Sequence, residues 1–401
     1  MIESDFFSSN RQKLSDNISQ GLFILSAHAQ MQRANDMAYK FEQDAHFWWL
    51  TGINAARWLL VIDGSSSYLV MPDMDPTEVI FNGSLVDTEA KRTSGVDKVI
   101  TYSEYIKLLP ELAEKYETVY SVGEDPSAKW HDFTMNPAAG ELQDVLVHTF
   151  TSIQDCSAIL KKLRAIKQDI EIEHIQKAVS VTARAFEDVR NKMDSFKYEY
   201  EIEAYFNSEF RRTGLEGHAY DPIVAAAANA CTLHYGANND TLPENGLVLL
   251  DIGAKSNGYA ADITRTYAIG TPTDRQIAVH KALETAHHKI IDCIRPGVSF
   301  ESYQASVDEI MKDALQEIGL LKDRTDQKTY RTYFPHAVSH GLGLDVHESM
   351  GGYKEFTAGM VLTVEPGIYI PEEGIGVRIE DDILVTDTGN KNLSADLPTS
   401  L

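Results

Sequence analysis

Short apolar runs and a helical stretch alternate along the first part of the chain. The runs GLFILSA, WLLVID, SYLVMP and TVYSV have the length and the β-branched or aromatic content of strands. The segment SEYIKLLPELAEKY, which precedes the last of them, repeats its apolar positions with a helical period. This pattern predicts a small α/β domain over residues 1–155. It contains no GxGxxG motif and no phosphate-binding loop, so no chemistry is predicted there.

Beyond Cys156 the apolar positions follow longer helical periods. A helical stretch begins at SAILKK, and a second helix, EYEIEAYFNSEFRRTG, stops near Gly214. Two more helices are predicted over residues 275–294 and 301–318. Three histidines on the first of these two are predicted to lie at the surface: His280, His287 and His288. Strands are predicted in the runs PIVAAAANA, LVLLDIGA, YAADITRTYAIG, MVLTVEPGIYI and IGVRIEDDILVT. We therefore predict an α+β domain over residues 156–401.

Composition narrows the class of protein. The 401 residues are 43% hydrophobic, which is enough for two domains with packed cores. Lys and Arg together number 36 and Asp and Glu 60, so the formal net charge is -24. Such a surface repels polyanions, and we expect neither nucleic acid nor an anionic membrane as a partner.

Cysteine usage and the N-terminus indicate the compartment. The three cysteines are far apart and form no CxxC pair, which disfavours a disulfide framework and a zinc ribbon. The first residues, MIESDFFSSNRQ, carry acids where a signal peptide needs bases, and GLFILSA is too short to span a bilayer. These features predict a cytoplasmic protein.

Four carboxylates interrupt the apolar strands of the second domain. Asp251 ends LVLLD, and Asp262, Glu365 and Glu380 sit inside predicted strands. A single such acid is more often an edge residue that faces water, but four in one domain favour a shared site. Turns in KSNG and PEEG would form two hairpins that bring the acids together in pairs. Because four buried like charges repel, two divalent cations would balance them.

The stretch FPHAVSHGLGLDVHE holds three histidines, His336, His340 and His347. The ordinary interpretation of HxxxH is two histidines on one helix face. Gly341 and Gly343 make a poor helix interior, however, and the four carboxylates need a nitrogen partner. The residues alone leave open whether the histidines share one metal.

The phrases DIGAKSNGYAADITRTY, HGLGLDVHE, VLTVEPGIY and GVRIEDD resemble the pita-bread metallopeptidases, in the branch of Xaa-Pro aminopeptidase and prolidase. YKFEQDAHFWWLTG resembles the first domain of that branch. The resemblance implies a C-terminal pita-bread fold after a smaller creatinase-like α/β domain. It also implies two divalent metal ions per chain, held by Asp251, Asp262, His340, Glu365 and Glu380. These ligands suit Mn(II) best, while Co(II), Zn(II) and Fe(II) remain compatible with them.

The resemblance also implies roles around the metals. Glu365 would be the general base, and His347 and His234 would contact the substrate during catalysis. The substrate-binding residues would be His336, Tyr369, Arg378, Tyr220 and Lys354. For Arg378, a role in holding a metal-ligating strand is an almost equal alternative. We therefore expect an Xaa-Pro aminopeptidase, which acts on peptides with proline second. The close alternative is a dipeptide-restricted prolidase, and the distant one is a non-catalytic pita-bread binding protein.

Two positions depart from the family pattern. Lys354 stands where the aminopeptidases commonly carry an arginine, and Ala358 stands where they carry a proline. In the first domain, Ile80 replaces a tryptophan of a region that in relatives helps to close a neighbour's active site. The family implies a homodimer or homotetramer, and the two departures bear on substrate length and on subunit assembly.

Overall fold

In the computed structural model, residues 2–123, 132 and 134–401 are described. The chain forms two compact units, Met1–Leu163 and Arg164–Leu401. Within the part of the chain that the structure describes, no helix combines the length and the apolar character needed to cross a membrane.

The first unit is built on a six-stranded mixed sheet. The strands of this unit, in the sheet and outside it, are β1 (Leu22–Ser26), β2 (Gln32–Ala34), β3 (Met37–Ala38), β4 (Leu59–Asp63), β5 (Ser66–Met71), β6 (Lys98–Thr101), β7 (Thr118–Ser121) and β8 (Ser152–Asp155). Its helices are α1 (Ser4–Asn17), α2 (Ala45–Thr51), α3 (Pro76–Asn82), α4 (Asp87–Ser94), α5 (Tyr102–Lys115) and α6 (Pro137–Thr149). The sheet order is β6-β5-β4-β1-β7-β8, and β2 and β3 form a separate hairpin. Leu22, Val61, Tyr105 and Val119 lie in its core. The helix α7 (Ser157–Ala165) follows β8.

The second unit contains two helix pairs and two small sheets. Its helices are α8 (Asp169–Asn191), α9 (Glu199–Arg212), α10 (Asp274–Ile291), α11 (Phe300–Glu317) and α12 (Gln327–Tyr333). Its strands are β9 (Ile223–Ala226), β10 (Gly246–Asp251), β11 (Lys255–Ser256), β12 (Tyr259–Ala260), β13 (Thr264–Ile269), β14 (Val361–Val364), β15 (Gly367–Ile370), β16 (Ile375–Arg378), β17 (Asp381–Val385) and β18 (Asn390–Asn392).

The two halves of this unit repeat one arrangement. In each half a helix pair precedes a three-stranded sheet, β13-β10-β9 in the first half and β14-β17-β18 in the second. A two-stranded hairpin, β11–β12 or β15–β16, is inserted between two adjacent strands of each sheet. A β-bridge between Thr264 and Glu380 joins the halves. The chain thus returns from each inserted hairpin next to this bridge, at Thr264 in the first half and at Glu380 in the second.

The helices lie close to their predicted positions, but three predicted strands are each broken into two. The predicted long helical stretch divides into α7 and α8. YAADITRTYAIG gives β12 and β13, MVLTVEPGIYI gives β14 and β15, and IGVRIEDDILVT gives β16 and β17. The prediction that Asp262, Glu365 and Glu380 sit inside strands is therefore wrong, because each lies at a break. Asp251 ends β10 as predicted.

The prediction of surface positions for His280 and His287 is also wrong. Both are buried on α10, with His287 fully enclosed and its Nε2 atom 3.5 Å from Oδ2 of Asp381. Helix α10 packs on β14, β15 and β16, and these histidines lie on its inner face with Leu283. Burial lowers the pKa of each imidazole to about 4, so both are neutral near pH 7.

Candidate metal centre

The first pair of acids is placed by the sheet of the first half. Strand β10 pairs antiparallel with β13, and Asp251 lies opposite Thr264. Asp262 precedes β13, and its backbone N–H donates to Oδ2 of Asp382 at 3.1 Å. Both aspartates are buried. The predicted proximity of the two aspartates follows from this register.

The second pair occupies the corresponding positions of the other half. Glu365 directly follows β14, and Glu380 directly precedes β17, the strand that pairs with β14. The hydroxyl of Thr264 donates to Oε2 of Glu380 at 2.7 Å. Glu380 is buried, whereas the side chain of Glu365 is 18% exposed. Glu365 is thus the carboxylate of the four with the most access to solvent, compared with 11% for Asp251 and 7% for Asp262.

His340 turns one ring nitrogen toward these acids. Its Nε2 atom is 3.3 Å from Oε1 of Glu365 and 3.5 Å from Oδ2 of Asp262. Its Nδ1 atom is 3.0 Å from the carbonyl oxygen of Gly341, which can only accept, so Nδ1 carries the proton. Nε2 is left with its lone pair facing the carboxylates, as a metal ligand requires.

Ligand atoms of the five residues converge in overlapping groups. The groups Asp251–Asp262–Glu380 and His340–Glu365–Glu380 each hold their ligand atoms within 4.8 Å of one another. Glu380 is common to both. Burial and repulsion from Asp251 raise the pKa of Asp262 well above its usual range, and burial raises that of Glu365 to about 8. Buried oxygens that repel one another, with one imidazole, fit a pair of divalent cations.

A chain of polar contacts runs from Asp251 through Arg378 and Tyr369 to His336. Oδ1 of Asp251 accepts from the hydroxyl of Tyr220 at 2.6 Å, and Oδ2 contacts the guanidinium of Arg378 at 2.5 Å. Arg378 also donates to the hydroxyl of Tyr369 at 2.9 Å, which lies 2.9 Å from Nε2 of His336. Arg378 is buried and joins Asp251 to Tyr369 through these two contacts.

Three further predicted residues differ in their placement. His347 stacks edge-on to His340, with ring centroids 4.3 Å apart, and shares a group of ligand atoms with His340 and Asp262. His234 is exposed. The pKa of His347 is lowered mainly by desolvation of its own ring and secondly by His234. Lys354 is exposed, and its side chain has no hydrogen bond or ion pair with the acids among the described residues.

Sequence reasoning missed the residues that support the ligands. Thr264 holds Glu380, and Asp382 holds the backbone of Asp262. Thr363 accepts from the backbone N–H of His340 at 3.2 Å. The triple acid run EDD in VRIEDDILV could have indicated that an acid next to Glu380 was also buried, whereas nothing in the sequence distinguishes these threonines.

The chain was compared with known proteins. The model of metallopeptidase family M24 matches residues 173–387, and that of the aminopeptidase P N-terminal domain matches residues 7–120. The chain belongs to metallopeptidase family M24. The M24 match contains all five residues of the candidate metal centre. The family, the pita-bread fold and the aminopeptidase P-like first domain are thus confirmed.

Relatives of this M24 chain are similar to it over nearly its whole length. The Xaa-Pro aminopeptidase of Escherichia coli is 34% identical over 98% of this chain and 95% of its own. That of Haemophilus influenzae is 33% identical over 94% of this chain and 91% of its own. The structure of E. coli aminopeptidase P with the inhibitor Pro-Leu superimposes with a TM-score of 0.88 at 31% identity, covering 100% of this chain and 96% of that one. A zinc-substituted form of the same enzyme with product gives 0.87, with the same identity and coverage. These relatives bear out the prediction of a metallo-aminopeptidase.

Proposed function

We propose that this chain is an Xaa-Pro aminopeptidase, which hydrolyses the bond between an N-terminal residue and a following proline. The observation that carries the proposal is the convergence of four strand-end carboxylates and one imidazole nitrogen. The close relatives named Xaa-Pro aminopeptidase support it. A non-catalytic binding protein is disfavoured, because such a protein has no need to keep repelling acids together in a buried place.

The metal ligands divide into two overlapping sets. Asp251 would bind one ion, and His340 and Glu365 the other, while Asp262 and Glu380 would contact both. The placement of Glu380 in both groups of ligand atoms supports this division. Oxygen donors with one imidazole favour Mn(II). When bound, the ions supply Lewis acidity that activates water and polarises the scissile carbonyl.

The protein's own residues then move the proton and orient the carbonyl. Glu365 is the most exposed of the four carboxylates, so it is the one best placed to accept a proton from a water molecule. His347 lies beside His340, and partial desolvation of its ring, together with the nearby His234, lowers its pKa and so favours the neutral imidazole. A neutral imidazole N–H can donate to the carbonyl oxygen as negative charge develops on it. His234, which is near enough to His347 to lower its pKa, would also contact the substrate.

Proline recognition would rest on His336, Tyr369 and Arg378. The ring centroids of His336 and Tyr369 are 5.5 Å apart, and Arg378 fixes the tyrosine hydroxyl. The imide nitrogen of proline has no hydrogen to donate, and its ring fixes the backbone, so a shaped pocket selects it better than a strand-pairing cleft. Tyr220 would contribute by holding Asp251.

Substrate length separates the proposal from its alternative, a prolidase. Lys354 would reach a dipeptide's carboxylate with a mobile point charge, whereas the arginine common in relatives would grip it with two donors. Its exposed position, with no ion pair to the acids among the described residues, supports a loose role. We therefore propose that tripeptides and longer peptides are cleaved.

We also propose a cytoplasmic location and a homodimeric or homotetrameric assembly. The three cysteines, Cys156, Cys231 and Cys293, are all free, as expected in a reducing compartment. Ile80, at the position that departs from the family, is 81% exposed on α3, next to Phe81 at 80%. Exposed apolar side chains of this size are available for contact with another subunit.

Turnover of Ala-Pro and Ala-Pro-Ala with added Mn(II) tests the proposal. We expect chelated protein to be inactive, Mn(II) to restore activity, and Ala-Pro-Ala to be cut before proline. Full activity in verified metal-free protein would refute the metal centre. Cleavage of Ala-Pro alone, with the tripeptide and a pentapeptide intact, would make the chain a prolidase.

A further inference from the structure

Two buried, positively charged side chains contact the segment that carries His340 and His347. Arg164 belongs to α7, and Lys167 follows that helix. Arg164 is 3% exposed and Lys167 is 7% exposed. Lysine and arginine are rarely buried to this degree unless they are paired, so their partners indicate what they hold.

Their partners are the two acids of the same segment. Arg164 contacts Oδ2 of Asp345 at 2.6 Å and also contacts Oε1 of Glu348. The Nζ atom of Lys167 contacts Oε2 of Glu348 and donates to the carbonyl of Arg164 at 2.7 Å. Glu348 is buried, and each of its oxygens meets a different cation. The carboxylate is therefore fixed in two directions.

Glu348 is tied directly to the proposed metal ligand. Its backbone N–H donates to the carbonyl of Gly341 at 2.8 Å, and the same carbonyl accepts from Nδ1 of His340. A side-chain carbon built at Gly343 would lie 2.2 Å from Oε2 of Glu348, so the carboxylate sits against the backbone of the segment. Glu348 is also the neighbour of His347 in sequence. Its position thus bears on both histidines.

We propose that Arg164 and Lys167 are positioning residues, which clamp Glu348 and so set the orientation of the His340 imidazole and the place of His347. Removing one partner of a buried ion pair leaves the other charge uncompensated. The carbonyl of Gly341 would then shift, and with it the hydrogen bond that fixes the tautomer and direction of His340. Groups that orient a metal-ligating histidine in this way typically affect metal affinity or activity by about 10- to 100-fold. The inference rests on the proposed function only in taking His340 as a metal ligand.

The test uses two variants of the full chain, Lys167→Met and Glu348→Gln, with Arg11→Met as the matched control. Arg11 is also buried, at 3% exposed, but donates to the carbonyls of Leu50 and Ser94 in the first unit. Hydrogen–deuterium exchange of metal-free protein, resolved to the Glu348 amide, measures the clamp without any metal. Mn(II) affinity and the visible absorption spectrum of bound Co(II) measure the geometry of the ligands.

Both clamp variants should exchange the Glu348 amide at least ~10-fold faster than wild type and bind Mn(II) at least ~10-fold more weakly, with an altered Co(II) spectrum. Arg11→Met should leave all three unchanged. Wild-type exchange and affinity in a folded clamp variant would overturn the proposal. Loss of folding in both variants would also overturn it, since the cluster would then be a folding element. If the wild type itself binds no Mn(II), the proposed function fails, while the exchange data still decide whether the clamp exists.

Discussion

Loss of the proton from Glu365 should lower the free energy of unfolding of the metal-free protein as the pH rises. Burial raises the pKa of Glu365 from the ordinary 4.5 to about 8, with repulsion from Asp251 adding to the effect and Arg378 opposing it. Between those two pH values the folded state holds a proton that the unfolded state has lost. The stabilisation is thus fully present below pH 4.5 and is lost as the pH rises toward 8.

The magnitude follows from the size of the shift. Each pH unit in that window removes up to about 1.4 kcal/mol from the free energy of unfolding. From pH 5 to pH 8 the ceiling for one carboxyl is therefore about 4 kcal/mol. The side chain of Glu365 is 18% exposed, so water screens part of the effect. We expect about 2 kcal/mol.

Urea denaturation of wild type and Glu365→Gln in the presence of a chelator measures this effect. The neutral variant has no proton to lose, so its stability relative to wild type should grow by about 2 kcal/mol from pH 5 to pH 8. Buried histidines such as His287 titrate in both proteins and cancel in the difference. Glu317→Gln, at an exposed position on α11, is the control and should show no such growth.

Saturating Mn(II) should abolish or invert this difference, because the wild type then gains the free energy of metal binding and the variant lacks one ligand. The electrostatic account of the site would be refuted by a metal-free difference that stays constant from pH 5 to pH 8. It would also be refuted if the difference shrank over that range.

Three further predictions concern single side chains. His340→Ala should lose Mn(II) and activity together, whereas His347→Ala should keep the metals and lose turnover by about 10²- to 10³-fold. The metal content of each variant is measured on dialysed protein. Equal metal loss in both would contradict the division of roles. Tyr220→Phe removes the hydroxyl that donates to Asp251 and should weaken Mn(II) binding by about 10-fold with an unchanged melting temperature. An unchanged Mn(II) affinity would contradict a role for this hydroxyl in orienting Asp251. Lys354→Ala should reduce kcat/KM more for Ala-Pro than for a pentapeptide with proline second, each tenfold loss corresponding to about 1.4 kcal/mol; an equal loss on both would show that Lys354 does not sense the dipeptide carboxylate.

The sequence predicted the acids of the site better than it predicted the strands around them. Acids within apolar runs are visible in the sequence, because burial of a carboxylate is costly and therefore unusual. Pro366 and Gly367 could have indicated the break after Glu365, whereas no proline or glycine stands next to Asp262 or Glu380. In each case the chain leaves one sheet at the acid and enters an inserted hairpin or returns from it. Only the tertiary pairing decides that.

The sequence also did not show which charged residues are buried against partners that are distant in sequence. In the segment KKLRAIK nothing distinguishes Arg164 and Lys167 from the less buried lysines beside them, and their partner Glu348 lies more than 180 residues away in sequence. His287 was mistaken for a surface residue for a related reason. Its spacing from His280, Leu283 and Ile290 places it on the apolar face of α10, so helical periodicity could have shown it as buried.

The two halves of the second unit have matching backbones, so any difference between the two proposed metal positions comes from their side chains. Asp251 and Glu365 lie where the chain leaves β10 and β14 for the inserted hairpins, and Asp262 and Glu380 lie where it returns toward β13 and β17, so the backbone alone would give two matching carboxylate pairs. The asymmetry comes from added side chains. In the first half a phenol, Tyr220, donates to Asp251, whereas in the second half an imidazole nitrogen faces Glu365 with a free lone pair. The hydroxyl of Tyr220 uses its proton in a hydrogen bond to an oxygen of Asp251, whereas the imidazole offers a lone pair directly. The ion at His340 would therefore have a nitrogen ligand that the other lacks, and the general base Glu365 would lie beside it.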